Sequence, residues 1–393
     1  MLHPAHELEP PANPVRFTFD TTSRVSNLPL IRYVGDFLSA YGVESRTIPD
    51  ETGQKANLWA TIGPADRSGV ILSGHTDTVP VDGQDWASDP FTLDARDGRL
   101  YGRGSCDMKG FLACALAAVP GLVARDLARP VHLAFSYDEE VGCVGVVGLL
   151  EMLQSENIRP AMCIVGEPTL MQVVTGHKAK RSMRVTVRGR GCHSSLAPQG
   201  VNAIDQAARL IVRMQDIAAR LAARGGIDRD YDITHSTAHT GIIRGGTALN
   251  IVPDICVFDC EFRVLPFEDA DALVDELRDY ARELEAAMQR IAPEAGIEID
   301  LYAQFPGLDT SPDAPVVTLA KSLTGSNGHS KVAFGTEGGR FDQMLGVPTI
   351  ICGPGSITQA HKPDEYVEQS QLDACDAFLA QLADWARIGR DWR

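Results

Sequence analysis

His75 and Asp77 follow directly on Val70-Ile71-Leu72, a mostly β-branched apolar run that stops at Gly74. Asp107 comes next in a glycine-punctuated turn that opens onto an apolar segment. The adjacent pair Glu139-Glu140 follows the apolar run 131–137, Glu167 ends the run 161–165, and His361 follows the GPGS loop at 353–356. Two imidazoles and three carboxylates (His75, Asp107, Glu140, Glu167 and His361) form a donor set for a divalent cation of hard-to-borderline character. Five donors exceed the needs of one catalytic zinc that keeps an open position, and they suffice for two ions if one carboxylate bridges. Two ions about 3.5–4 Å apart can polarise a carbonyl and lower the pKa of bound water from about 15.7 toward 7. In the double glutamate, Glu140 can ligate while Glu139 stays free to move a proton. Asp77, two residues after His75, can hold the other ring nitrogen.

Singly, each of these residues also fits a plainer role. A histidine or glutamate in a loop often caps a helix, and Glu139-Glu140 also reads as acid at a helix N-terminus. The joint pattern at successive strand ends favours a metal centre.

The elements that would position these groups alternate. Helical periodicity runs over 27–42, strands over 57–62 and 69–72, and a helix over 109–124. A strand at 131–137, a small-residue helix at 144–152 and a strand at 161–165 follow. This order predicts an α/β domain with a mostly parallel sheet sandwiched by helices. From 181 the pattern changes to a half-buried strand, a helix over 202–223, strands at 237–243 and 255–265, a helix over 268–291 and a strand at 297–302. That is the split βαβ order of a small α+β domain. The α/β pattern returns at 305, with a helix from 314, a strand at 346–352 and a helix from about 370 to 385. The expected domains are therefore 1–180 and 305–393 for the catalytic part and 181–304 for an insertion.

Fifty-two acidic against 36 basic side chains give a net charge of −16, which excludes nucleic acid and an anionic membrane surface as natural partners. Nine scattered cysteines, none in a C-x-x-C pair, predict free thiols and a reducing compartment, with Cys256 and Cys260 packed on one face of a strand. The N-terminal stretch 1–14 is acidic and proline-rich, with no apolar core for a signal peptide. The longest apolar run, from Gly110 to Ala124, is about 15 residues, short of the ~20 that span a bilayer. A cytoplasmic protein is expected.

GHTDTVP, GRGSCDMKG, the DEE of YDEEVG, VGEPT and GCHSS, in this order from about residue 20 to 385, resemble the family of co-catalytic zinc amidohydrolases. Its members include deacetylases, desuccinylases, aminoacylases and glutamate carboxypeptidases. The segments TEGGRF and GPGSITQAHKPDEY are most similar to the deacetylase branch. The resemblance implies two divalent ions per subunit, zinc foremost with cobalt or manganese also admitted. It implies that Asp107 bridges, that His75 and Glu167 complete one ion, and that Glu140 and His361 complete the other. It makes Glu139 the general base and His193 an oxyanion donor reaching the partner subunit of a homodimer formed through the insertion. A cis peptide at Asp107–Met108 is implied as well.

For the substrate, an N-acyl amino acid, the resemblance points to Asn250 and Arg263 at its α-carboxylate; the GPGS loop, with Gly353, Gly355 and Ser356, offers donors for the same carboxylate or is a tight turn. Glu337 is the expected partner of a substrate side-chain ammonium. Cys192 stands where relatives often carry a smaller residue. A desuccinylase, a broad aminoacylase or carboxypeptidase, and a metal-binding protein without catalysis are the alternatives.

Overall fold

The computed structural model describes residues 19–224 and 227–388; the acidic stretch 1–14 lies outside the described residues. Two compact units are present, one comprising residues 19–176, 308–330 and 336–388 and the other 177–307 with 331–335.

In the first unit, α1 (Leu28–Ala40) places Leu30, Ile31, Val34 and Leu38 on one buried stripe, and Gly42 leaves it at φ +72. Strands β1 (Ser45–Pro49), β2 (Ala56–Ile62) and β3 (Val70–His75) follow, then the short β4 (Asp94–Arg96) and β5 (Arg99–Tyr101). Helix α2 (Lys109–Val123) buries Phe111, Leu112 and Leu116. Next come β6 (Val131–Ser136), α3 (Val146–Ser155), β7 (Met162–Pro168) and β8 (Val174–His177).

The second unit holds β9 (Ala179–Arg188), α4 (Ala203–Ala223), β10 (Thr237–Gly245), β11 (Ile255–Val264), α5 (Ala270–Gln289) and β12 (Gly296–Phe305). Its sheet, ordered β10-β11-β9-β12, is antiparallel throughout. Strand alternation drives Met183, Val185 and Val187 of β9, and Phe258 and Phe262 of β11, into a core shared with α4 and α5. Both helices start at side-chain caps: Asn202 accepts from the N–H groups of Ile204 and Asp205, and Asp269 from those of Asp271 and Ala272. The expected β-α-β-β-α-β order is present. Cys256 and Cys260 are buried in this core, and all nine cysteines are free thiols.

The chain then adds β13 (Leu308–Asp309), α6 (Pro315–Thr324), β14 (Ser330–Val332), α7 (Gly338–Leu345), β15 (Thr349–Gly353), β16 (Tyr366–Glu368) and α8 (Gln369–Ile388). The large sheet runs β1-β2-β6-β3-β7-β15-β8-β13, with β14 beside β8. Its centre, β6-β3-β7-β15, is parallel. β1 and β2 form an antiparallel edge, and β8 runs antiparallel to β15. The four central strands are buried along their whole length, as a parallel sheet covered on both faces requires. Four parallel strands bring four C-terminal tips to one edge of the sheet, where open α/β sheets hold ligands. Among the described residues no helix is long and apolar enough to cross a membrane.

Close packing under that edge depends on Gly166, the residue before Glu167. A β-carbon there would lie 2.0 Å from the ring of Phe111, which is fully buried on α2. Gly166→Ala is expected to destabilise the protein by about 1–3 kcal/mol through overpacking. Urea denaturation checks this, and an unchanged midpoint would refute the contact's importance.

Candidate active site

β3 delivers His75 at its last position, β7 delivers Glu167 at its penultimate one, and the turn after β6 carries Asp138, Glu139 and Glu140. Asp107 sits in the loop before α2, and the Asp107–Met108 peptide is cis, as the resemblance implied. His361 lies in the segment between β15 and β16 with φ +63.

These side chains converge. His75 Nε2 is 3.0 Å from Asp107 Oδ1 and 3.6 Å from Glu167 Oε1. His361 Nε2 is 3.2 Å from Asp107 Oδ2 and 3.1 Å from Glu140 Oε2. The two oxygens of Asp107 therefore face different imidazoles, dividing the donors into His75 with Glu167 and His361 with Glu140. Glu139 belongs to the same cluster: its carboxylate lies within 4.8 Å of the ligand atoms of His75 and Glu167.

His75 Nδ1 donates to a carbonyl at 2.9 Å, which leaves a lone pair on Nε2 when the ring is neutral. That lone pair points at carboxylate oxygens. Such a convergence is stable only with a proton or a cation between the groups, and the donor types suit a divalent cation.

The electrostatics follow from burial. Removal from water, aided by the charge of neighbouring acids, pushes the Glu139 carboxyl up to about 8 and that of Glu140 up to about 7. Burial and then the Asp107 charge raise Glu167 well above the usual carboxylate range. Hydrogen bonds with Asp107 and Glu140 lift His361 to about 10. His75 is raised despite its burial, because Asp107 and Asp77 hold its protonated form. Asp107 is held below the usual range by the two imidazoles, although burial alone would raise it.

Asp77 holds the other ring nitrogen of His75 chiefly through its backbone. Its main-chain carbonyl takes the His75 Nδ1–H, while its carboxylate stands 3.6 Å from that nitrogen. The carboxylate instead accepts from the N–H groups of Glu139 at 3.1 Å and Glu140 at 3.3 Å, and from Ser23 Oγ at 2.7 Å. It thus ties the turn bearing both glutamates to the tip of β3. Cys143 Sγ adds a 3.1 Å contact to Glu139 Oε1.

Glu365 was not singled out from the sequence. It is buried, with Oε1 accepting from the N–H groups of Cys106 at 2.9 Å and Asp107 at 3.0 Å. Its Oε2 accepts from Gly104 N–H at 3.0 Å and from the buried Arg103 guanidinium at 2.6 Å. One carboxylate thus fixes the whole loop that presents Asp107. Its only local signal is an acid four residues after His361 in a polar segment, and nothing there marks it as buried.

The expected substrate contacts fare differently. The N–H groups of Gly353, Gly355 and Ser356 are taken by Thr169 Oγ1, Gln371 Oε1 and Gln359 Oε1, each at 3.2 Å. This loop is therefore a connector with its donors engaged, not an open cradle. The Arg263 fork grips Glu261, with Nε at 3.0 Å and Nη2 at 3.3 Å from the two carboxylate oxygens. Glu337 is buried, and its oxygens accept from Ser73 Oγ at 2.5 Å and Ser136 Oγ at 2.6 Å, so its carboxylate does not present itself to an open space.

In the second unit, pairing of 192–194 with 250–252 brings exposed His193 and Asn250 to one edge. His193 Nδ1 accepts from Ser195 N–H at 3.2 Å, which leaves the proton on Nε2. Cys192 Sγ contacts the carbonyl of Leu196 at 3.4 Å.

Two outcomes follow. Glu365→Ala leaves Arg103 buried without its anion, and a loss of about 3–5 kcal/mol in urea denaturation is expected. In the metal-free protein, Glu139 and Glu140 keep protons at pH values where ordinary carboxylates have lost them. A cation taken by Glu140 and His361 must displace the protons both hold, so zinc affinity should rise from about pH 7 to about pH 10 with proton release. Calorimetry in buffers of different ionisation enthalpy reads this, and a pH-independent affinity would count against it.

Residues 71–385 match a family model described as Peptidase family M20/M25/M40. A protein of Myxococcus xanthus named acetylornithine deacetylase is 36% identical over 367 residues, 92% of this chain and 93% of the relative. One of the same name from Proteus mirabilis is 33% identical, over 95% and 94% of the two chains. Among solved structures, a family M20 metallo-carboxypeptidase from Sulfolobus solfataricus superposes with a TM-score of 0.75 at 19% identity, over 95% and 98% of the chains. A dinuclear metal-binding peptidase of Bacillus subtilis does so with a TM-score of 0.63 at 14% identity, over 95% and 97%.

Proposed function

The chain belongs to peptidase family M20/M25/M40, and from that membership we propose a metal-dependent amidohydrolase that cleaves N2-acetyl-L-ornithine to L-ornithine and acetate. The observation that carries this reading is Asp107, whose two oxygens face His75 and His361 separately. His75 and Glu167 would hold one cation and Glu140 and His361 a second, with Asp107 within reach of both imidazoles. The choice of acetylated ornithine as substrate rests on near-full-length relatives of that name.

Bound cations, zinc foremost with cobalt or manganese as alternatives, would polarise the scissile carbonyl and acidify water. In the proposed reaction, the water oxygen bonds to the acyl carbon and the carbon–nitrogen bond breaks. Glu139 takes the water proton and gives it to the departing amine. Asp77 keeps Glu139 and Glu140 in place through their N–H groups. The Nε2–H of His193 is the donor expected at the developing oxyanion, supplied by the second copy in a homodimer formed through the inserted unit. Asn250, at the same edge, and Arg263, once released from Glu261, are the proposed grips on the substrate α-carboxylate. Nine free thiols suit the reducing cytoplasm.

The test is kcat/KM on N2-acetylornithine, N-succinyl-diaminopimelate, N-acetylmethionine and folyl-glutamate at defined metal loading. Preference for the succinylated substrate or for the neutral acetyl amino acid would replace the specificity proposed here. Absence of metal-dependent hydrolysis across the panel would leave a binding protein. Glu139→Gln is expected to retain both ions while kcat falls by roughly 10²–10⁴. Near wild-type turnover in that variant would sink the assignment of the base.

A further inference from the structure

Ser73, Ser136 and Glu337 form a buried polar triangle under the site that the reaction above does not use. Ser73 and His75 are two apart on β3 and so point to the same side of the sheet. Ser136, the last residue of β6, lies opposite His75 in the parallel register. Glu337 comes from the residue preceding α7, and all three side chains are essentially without solvent exposure. Each carboxylate oxygen takes one hydroxyl, at 2.5 and 2.6 Å, the short distances of hydroxyl-to-carboxylate bonds.

A buried carboxylate is costly, and two hydroxyl donors in place of water offset that cost only while both bonds hold. The position at the N-terminus of α7 adds a favourable dipole. β3 and β6 are paired neighbours, yet their C-terminal tips diverge into two different loops after His75 and Ser136. The Glu337 carboxylate spans both tips at the point of divergence. One loop continues through His75 to Asp77, the other through Asp138 to Glu139 and Glu140. The carboxylate also lies at the imidazole's side of the sheet, where its negative charge favours a cation held at His75.

We infer that Glu337 is a positioning residue that sets His75 and the Glu139–Glu140 turn through Ser73 and Ser136, and does not bind the substrate's side chain. The inference rests on the proposed amidohydrolase reading.

Glu337→Gln keeps the volume and removes the charge, since one serine must then accept instead of donate. The expected result is a kcat lower by about 10–100-fold with KM nearly unchanged, and the same factor for N2-acetylornithine and N-acetylmethionine. Metal affinity of the stripped protein, read by competition with a chelating dye, should fall by a similar order. Ser136→Ala should act in the same direction. Ser136→Ala combined with Glu337→Gln should be no worse than the stronger single variant, because both break one network.

A KM increase confined to N2-acetylornithine would overturn the inference and assign Glu337 to the substrate's ammonium. Unchanged kcat and metal affinity would overturn it as well, leaving a buried spacer. If Glu337→Gln does not fold, Ser136→Ala carries the test, and wild-type metal affinity in that variant is the refuting outcome. Failure of the wild-type protein to hydrolyse either substrate would strike the proposed function, while the dye competition would still judge the network.

Discussion

Lone pairs converging in a largely buried cluster, open to solvent on the side of His361, are the constraint on which the first unit depends. His75 and His361 aim nitrogens at the oxygens of Asp107, Glu140 and Glu167, with Glu139 close by. In water such acids would repel one another weakly; out of water each must share a proton or a cation. The raised carboxyls of Glu139, Glu140 and Glu167 express that requirement. A protein interior of ordinary composition would not collect these groups, so the fold must hold them against their mutual repulsion.

It does so with a layer of carboxylates that face the backbone. Asp77 accepts from the N–H groups of Glu139 and Glu140, and Glu365 from those of Gly104, Cys106 and Asp107. Asp77 clamps the turn after β6 to the tip of β3, and Glu365 clamps the loop between β5 and α2. Arg103 compensates the charge of Glu365, and the hydroxyls of Ser73 and Ser136 solvate Glu337. Backbone N–H groups suit this task because they have fixed directions and no rotamer freedom to lose.

The inserted unit follows simpler rules. Alternating strands give one apolar face, two capped amphipathic helices cover it, and the hydrophobic core is complete. Its edge carries His193 and Asn250, joined by pairing between segments far apart in the chain.

The alternation of strands and helices, the change of pattern that sets off the second unit and the histidines and carboxylates able to ligate a cation were legible in the sequence because periodicity and residue type are properties of neighbours. α7 was not legible, since it opens with Gly338-Gly339, poor helix formers, and is held by burial of Phe341. Nor were the short, partly exposed edge strands such as β1 and β16. What Glu337, Glu365 and the GPGS loop touch was decided by the tertiary structure alone. The Ser73–Glu337 bond joins residues 264 positions apart, and no local pattern encodes such a pairing. Residue type determined which groups can ligate or titrate; whether a carboxylate faces a cation site, a backbone N–H or a buried hydroxyl depends on which distant segment the packed sheet brings against it.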